Sequence, residues 1–164
     1  MAGITGLLTN VLTSKLQSTS DGVNIRIGAI EHADAALKAI GIRSVTTANI
    51  SVDISEKAGQ AIYPALAVYC TKVSNTLREK FREFSGTAQM VVDVRHSQAQ
   101  LKGIEGNLQV YVDAVCALLD DSRGDWGSGT FYPGGYNVSY EPVVQGGKNY
   151  LQQAKVGFDV EVSR

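Results

Sequence analysis

Cysteine is scarce in this chain: Cys70 and Cys116 are the only two among 164 residues. They fall in a predicted strand and in the predicted main helix, with no CxxC spacing and no histidine at ligand distance in the sequence. They therefore read as buried free thiols, not as metal ligands or a disulfide. A surplus of positive charge is also missing. Lys and Arg number 15 against 16 Asp and Glu, a net charge of −1, whereas a dedicated nucleic-acid binder needs cations to neutralise phosphates. No apolar run approaches the roughly 20 residues of a membrane span, and MAGITGLLTN lacks the basic start of a signal peptide. We expect a protein made and used without export, and without a membrane partner.

The constellations that carry enzyme chemistry are lacking as well. Gly146-Gly147-Lys148 has the form of the end of a phosphate loop, but the upstream glycine is missing. Asn149 stands where a hydroxyl would meet magnesium, so the segment reads as a hairpin turn. His32 and His96 have no sequence link to a Ser or Cys nucleophile. Asp120, Asp121 and Asp125 lack the Gly and Asn positions of a calcium loop and read as solvated acids near a helix end. Arg123-Gly124-Asp125 spells an adhesion tripeptide that arises often by chance and is assigned no function. We assign no catalytic, cofactor-binding or metal-binding residue, and we expect no enzyme activity and no cofactor.

What is present is clear periodicity. Leu101, Ile104, Leu108, Tyr111, Val112, Val115, Leu118 and Leu119 recur at spacings of three and four, which predicts a helix within Ser97–Asp121. Ser97 and Gln100 have the form of a capping box, and Gly103 and Gly106 weaken the first turns, which suggests a firm start only near Asn107. Asp120 and Asp121 sit on the unfavourable end of the helix dipole. Near the start of the chain, Ile4, Leu7, Leu8, Val11, Leu12 and Leu16 predict an amphipathic helix over 3–17, closed by the turn residues of Ser18–Gly22. Asn24–Ile30 alternates weakly and reads as a short strand, 31–41 as a second helix, and Ile42–Ile54 as a strand or extended arm.

Further strands are expected at Ile62–Val73, with Pro64 at its start or on an edge, and at Gln89–Arg95. Between them, SNTLREKFREF reads as a short helix, or alternatively as a long hairpin arm. After the main helix comes a Gly-rich loop holding Trp126, Phe131, Tyr132 and Tyr136, then a strand over Tyr136–Val144 interrupted by Pro142. The plainest strand is Ala154–Val162, where Ala154, Val156, Phe158, Val160 and Val162 alternate with polar residues or glycine. Strands grouped about one long helix predict an α+β fold: a mostly antiparallel sheet with that helix across it and helices at the N-terminus. We expect one domain, with 1–60 a helical and extended segment and 61–164 the α+β core. The loop aromatics read equally well as a lid over the core or as interface anchors.

The order PALAVYC (Pro64–Cys70), MVVDVRHSQ (Met90–Gln98), the helix ending near Leu119 and the closing KVGFDVEVSR (Lys155–Arg164) resembles the tail terminator, or tail-completion, proteins of long-tailed bacteriophages. The resemblance covers about residues 60–164. It implies a structural ring protein of the virion neck, commonly a hexamer, assembled in the bacterial cytoplasm. Such a ring caps the tail tube, ends its polymerisation and docks to the head connector, while DNA passes through the lumen without sequence-specific binding. Ring closure needs two different complementary patches on each subunit. The candidate interface residues are Pro64, Arg123, Asp125, Trp126, Phe131, Tyr132 and Tyr136. The alternatives are a head-completion adaptor or other neck protein, or a small ligand-binding or enzymatic α+β domain. The last would need a pocket gathering His96, Asp93 or the aspartates around Arg123.

Overall fold

The computed structural model describes residues 3–30, 44–58 and 62–164. The helix expected over 31–41, with His32, lies outside them. The described chain runs α1 (Ile4–Leu16), α2 (Val23–Ala29), β1 (Val45–Thr46), α3 (Val52–Lys57), β2 (Ala65–Asn75), β3 (Ser85–Gln98), α4 (Ile104–Asp121), β4 (Gly124–Gly127), β5 (Thr130–Tyr132), β6 (Asn137–Tyr140), β7 (Val144–Gly146) and β8 (Asn149–Ser163).

One sheet holds every described strand, in the order β1-β2-β3-β8-β5-β4, with β6 and β7 also paired to β8. Every pairing is antiparallel except β1 with β2. The α+β architecture is as its periodicities predict. Strand β8 is the spine. Its whole length pairs with β3, from Ser163 opposite Ser85 to Tyr150 opposite Gln98. Along its other side lie, in turn, β7, β6 and β5.

One face of the sheet carries Leu66 and Val68 of β2, Met90, Val92 and Val94 of β3, and Ala154, Val156 and Val160 of β8, all without solvent exposure. Onto it packs α4, burying Leu108, Tyr111, Val115, Leu118 and Leu119, while α1 adds Leu8, Leu12 and Leu16 to the same cluster. Burying each such side chain stabilises the fold by about 1.5–3 kcal/mol. At the end of α4, Asp121 accepts a hydrogen bond from Arg26 of α2 at 2.6 Å, so one of the two acids facing the helix dipole is compensated by an ion pair.

Four local expectations are corrected. Residues 23–29 form a helix, not a strand: Val23 and Ile27, four apart, are buried, while Ile25 between them is exposed. No capping box forms at Ser97, because β3 continues to Gln98 against β8. Helix α4 then begins at Ile104, after a left-handed Gly103 (φ 82°), which leaves Leu101 exposed. Residues 76–84 are the turn of a long hairpin, the alternative reading, and not a helix; Leu77 (φ 48°) and Phe81 (φ 65°) have backbone angles no α-helix admits. Finally, of the strand or extended arm expected over Ile42–Ile54, the described residues 44–54 give the two-residue β1, an irregular stretch and the start of the short α3.

Candidate functional site

The loop after α4 begins as a hairpin, β4–β5, that sends its three candidate aromatics to opposite faces of the sheet. Trp126 and Tyr132 turn inward. Their rings lie 5.5 Å apart, and both meet Phe158 of β8, at 6.2 and 5.2 Å. The Trp126 indole N–H donates to Ser122 O at 2.7 Å, and the Tyr132 hydroxyl donates to Gly135 O at 2.9 Å. Lys15 of α1 lies 5.6 Å from the Trp126 ring centre, within cation–π range. These aromatics seal the end of the core, because each buried polar tip has found a backbone carbonyl.

Phe131 points the other way. It stands opposite Glu161 of β8, on the sheet face away from α4, and is 46% exposed. Asp125, paired with Phe131 across the hairpin, and Arg123 are exposed, with Asp125 Oδ1 accepting from Gly127 N at 2.7 Å to shape the turn. Gly129 (φ 77°) is required at the tip, since a Cβ there would lie 2.1 Å from Ser163 O. Tyr136 is half-buried, and its hydroxyl donates to Asp120 at 3.4 Å. Burial, with Cys116 and Asp120 beside it, pushes the Tyr136 hydroxyl up to about 12. Burial likewise pushes the Cys116 thiol up to about 11, so it stays protonated and weakly nucleophilic near neutral pH. Pro64 is buried behind a cis Tyr63–Pro64 bond, just before β2.

The second sheet face holds a feature that alternation alone misses. Asp93 and Arg95 occupy outward positions of β3, yet they are only 2% and 7% exposed. They form an ion pair at 3.0 Å. Gln153 of β8 donates to both Asp93 oxygens, and Arg95 donates to Ile50 O and Ser55 Oγ of the segment around α3. That segment therefore lies as a strap across the outer face, tied down by a buried guanidinium. His96 points to the opposite face, its ring centre 5.5 Å from that of Tyr111 and tilted 46° to it, and is bonded to Gln98. Burial lowers its pKa, so the imidazole is neutral at pH 7. His96 and Asp93 lie on opposite faces of the sheet and Arg123 lies beyond the far end of α4, so these three do not share one pocket. Asp120, Asp121 and Asp125 are each engaged, by Tyr136, Arg26 and Gly127 respectively.

The β2–β3 hairpin, read from the sequence as one of two alternatives, was not among the candidate site residues. It projects as an arm whose turn exposes Leu77 (63%) and Phe81 (104%), with Val73 (40%) on β2 below them. Beyond Ala67 the outer edge of β2 has no partner strand among the described residues, and β6 pairs with β8 alone. The missed signal was Leu77 and Phe81 themselves, apolar residues four apart within a charged run too short to bury them. No described helix is long and apolar enough to cross a membrane.

No family model matches this chain, and no curated protein matches it. Among solved structures, it is similar to a chain of the virion of the native gene transfer agent (GTA) particle. The identity is 13% and the TM-score 0.38, over 90% of this chain and 100% of that one.

Proposed function

We propose that this chain is a structural component of a phage-like virion, a ring protein of the head–tail joint acting as the tail terminator. In this reading the subunits close head to tail into a hexamer that caps the tail tube and stops its growth. The opposite side of the ring docks to the head connector, and DNA slides through the lumen. A near-neutral chain suits a channel that must not grip phosphate. The supporting observation is that each subunit offers different surfaces at its two sides: an arm with exposed Leu77 and Phe81 at one, and the exposed β6 segment at the other. Heterologous contact needs two such unlike surfaces. Phe131, Arg123 and Asp125 are the exposed members of the candidate interface, while Trp126, Tyr132 and Pro64 act by fixing the shape beneath it.

The test is size-exclusion chromatography with light scattering, followed by negative-stain imaging with purified tail tubes. A ring that sits on tube ends is the expected result. A chain that stays monomeric and never binds tubes overturns the proposal. Binding to the portal side but not to the tube would replace it with a head-completion role.

A further inference from the structure

The two open edges of the sheet are complementary in direction, face and charge. Strand β2 runs antiparallel to β3, β3 to β8, and β8 to β6, so β2 and β6 point in opposite senses within one subunit. Across the sheet Tyr140 stands level with Leu66 and Asn137 with Tyr69. A neighbour related by rotation about an axis tilted to the strands therefore keeps the strand sense, while its β6 is displaced along them toward the free edge at Lys72–Ser74. Its β6 would therefore lie antiparallel to β2, the pairing that hairpin-built sheets already use here.

The side chains also match. Val73 stands opposite Ala88, and Tyr140 opposite Ala154, so both lie on the helix side of the sheet. They are 40% and 41% exposed, and both would lie on the same face of a sheet joined through these edges. On the other face the two strands offer Lys72 and Ser74 against Asn137 and Ser139.

Charge is divided between the two sides. The arm carries Lys72, Arg78, Lys80 and Arg82 against Glu79 and Glu83, all exposed. Glu79 is already engaged, by Ser163 at 2.7 Å and Arg82 at 3.6 Å. Helix α4, beside β6, exposes Glu105, Asp113, Asp120 and Asp121 and has no basic residue. Of these, Asp113 and Glu105 lie close enough to Tyr140 to act on its hydroxyl.

We propose that the edge of β2 in one subunit pairs antiparallel with β6 of a second copy, making one sheet continuous across the subunit boundary, with the basic arm laid toward the acidic face of the neighbour's α4. The occupant is a second copy because both halves of the match are on this chain, at opposite ends of one sheet. A contact of this kind is heterologous and closes into a ring if the rotation closes. The inference rests on the ring reading for self-association only; the particle to which the ring belongs does not enter it.

Four double variants test it, combining Lys72→Cys or Ser74→Cys with Asn137→Cys or Ser139→Cys in the full chain. Directly opposed residues in a strand pair lie within disulfide reach. At least one pair is expected to give a ladder of intermolecular disulfides under mild oxidation, absent from the wild type and from each single variant. Val73→Asp, with folding checked by circular dichroism, should raise the concentration needed for assembly tenfold or more. Rings that form by light scattering while none of the four pairs cross-links overturn the edge pairing but leave the ring reading intact. A folded chain that remains monomeric at every concentration overturns both.

Discussion

The β4–β5 hairpin and the β2–β3 arm both carry aromatic residues in polar turns, and they treat them in opposite ways. In the first, Trp126 and Tyr132 fold back onto Phe158, and each polar tip reaches a backbone carbonyl. In the second, Phe81 stands fully exposed on a left-handed backbone with no apolar neighbour to cover it. The chemistry of the side chains does not decide between these outcomes. What differs is what each turn meets on β8. Trp126 and Tyr132 reach the Phe158 ring, while the 76–84 turn meets the end of the strand through the bonds of Glu79 and Phe84 to Ser163 and Arg164, leaving Phe81 uncovered. An aromatic held over the core stabilises the subunit, and one held beyond it is available to a partner.

That contrast can be broken by substitution, in descending order of effect. Trp126→Ala should cost about 3–5 kcal/mol, since it opens a cavity beside Tyr132 and Phe158; denaturant titration would read it, and a loss under 1 kcal/mol would mean the hairpin is no lid. Gly86→Ala acts at the root of the arm, where a Cβ would lie 1.9 Å from Ser74 O. It should cost about 1–3 kcal/mol through forced backbone movement, with faster hydrogen exchange along β2 and the start of β3. Tyr132→Phe removes only the bond to Gly135 and should cost about 1 kcal/mol by the same titration. Phe81→Ser should leave stability within about 0.5 kcal/mol while weakening self-association in light scattering. Should it destabilise the monomer as Trp126→Ala does, the distinction between the two hairpins fails.

Elements whose pattern agrees with their own surroundings were legible in the sequence. The alternation of β8, the strand at Gln89–Arg95, the helical spacing of α1 and α4 and the placement of Pro64 before a strand all reappear in the structure. Residues 23–29 misled because Val-Asn-Ile-Arg-Ile supports both a period of two and a pair four apart, and seven residues are too few to separate them. The cap at Ser97 misled because the length of β3 is set by fourteen paired positions on β8, far away in the sequence. The burial of Asp93 and Arg95 was not legible, because the strap that covers them comes from residues around α3, some forty positions away. For the candidate interface, the sequence marked the aromatic cluster but not its division, since Phe131 and Tyr132 are adjacent and a strand sends them to opposite faces.

Strand β8 also governs when this molecule can form. Strands β6 and β7 have no other partner among the described residues, and β3 gains its second neighbour only from β8. Its pairing with β3 joins residues that lie far apart along the chain, which makes closure of the sheet slow. Until β8 is in place, β3 lacks its second neighbour and β6 and β7 have no strand to lie on. On the edge pairing proposed above, folding of the sheet therefore precedes any contact between copies, because the β6 edge exists only once β8 is seated.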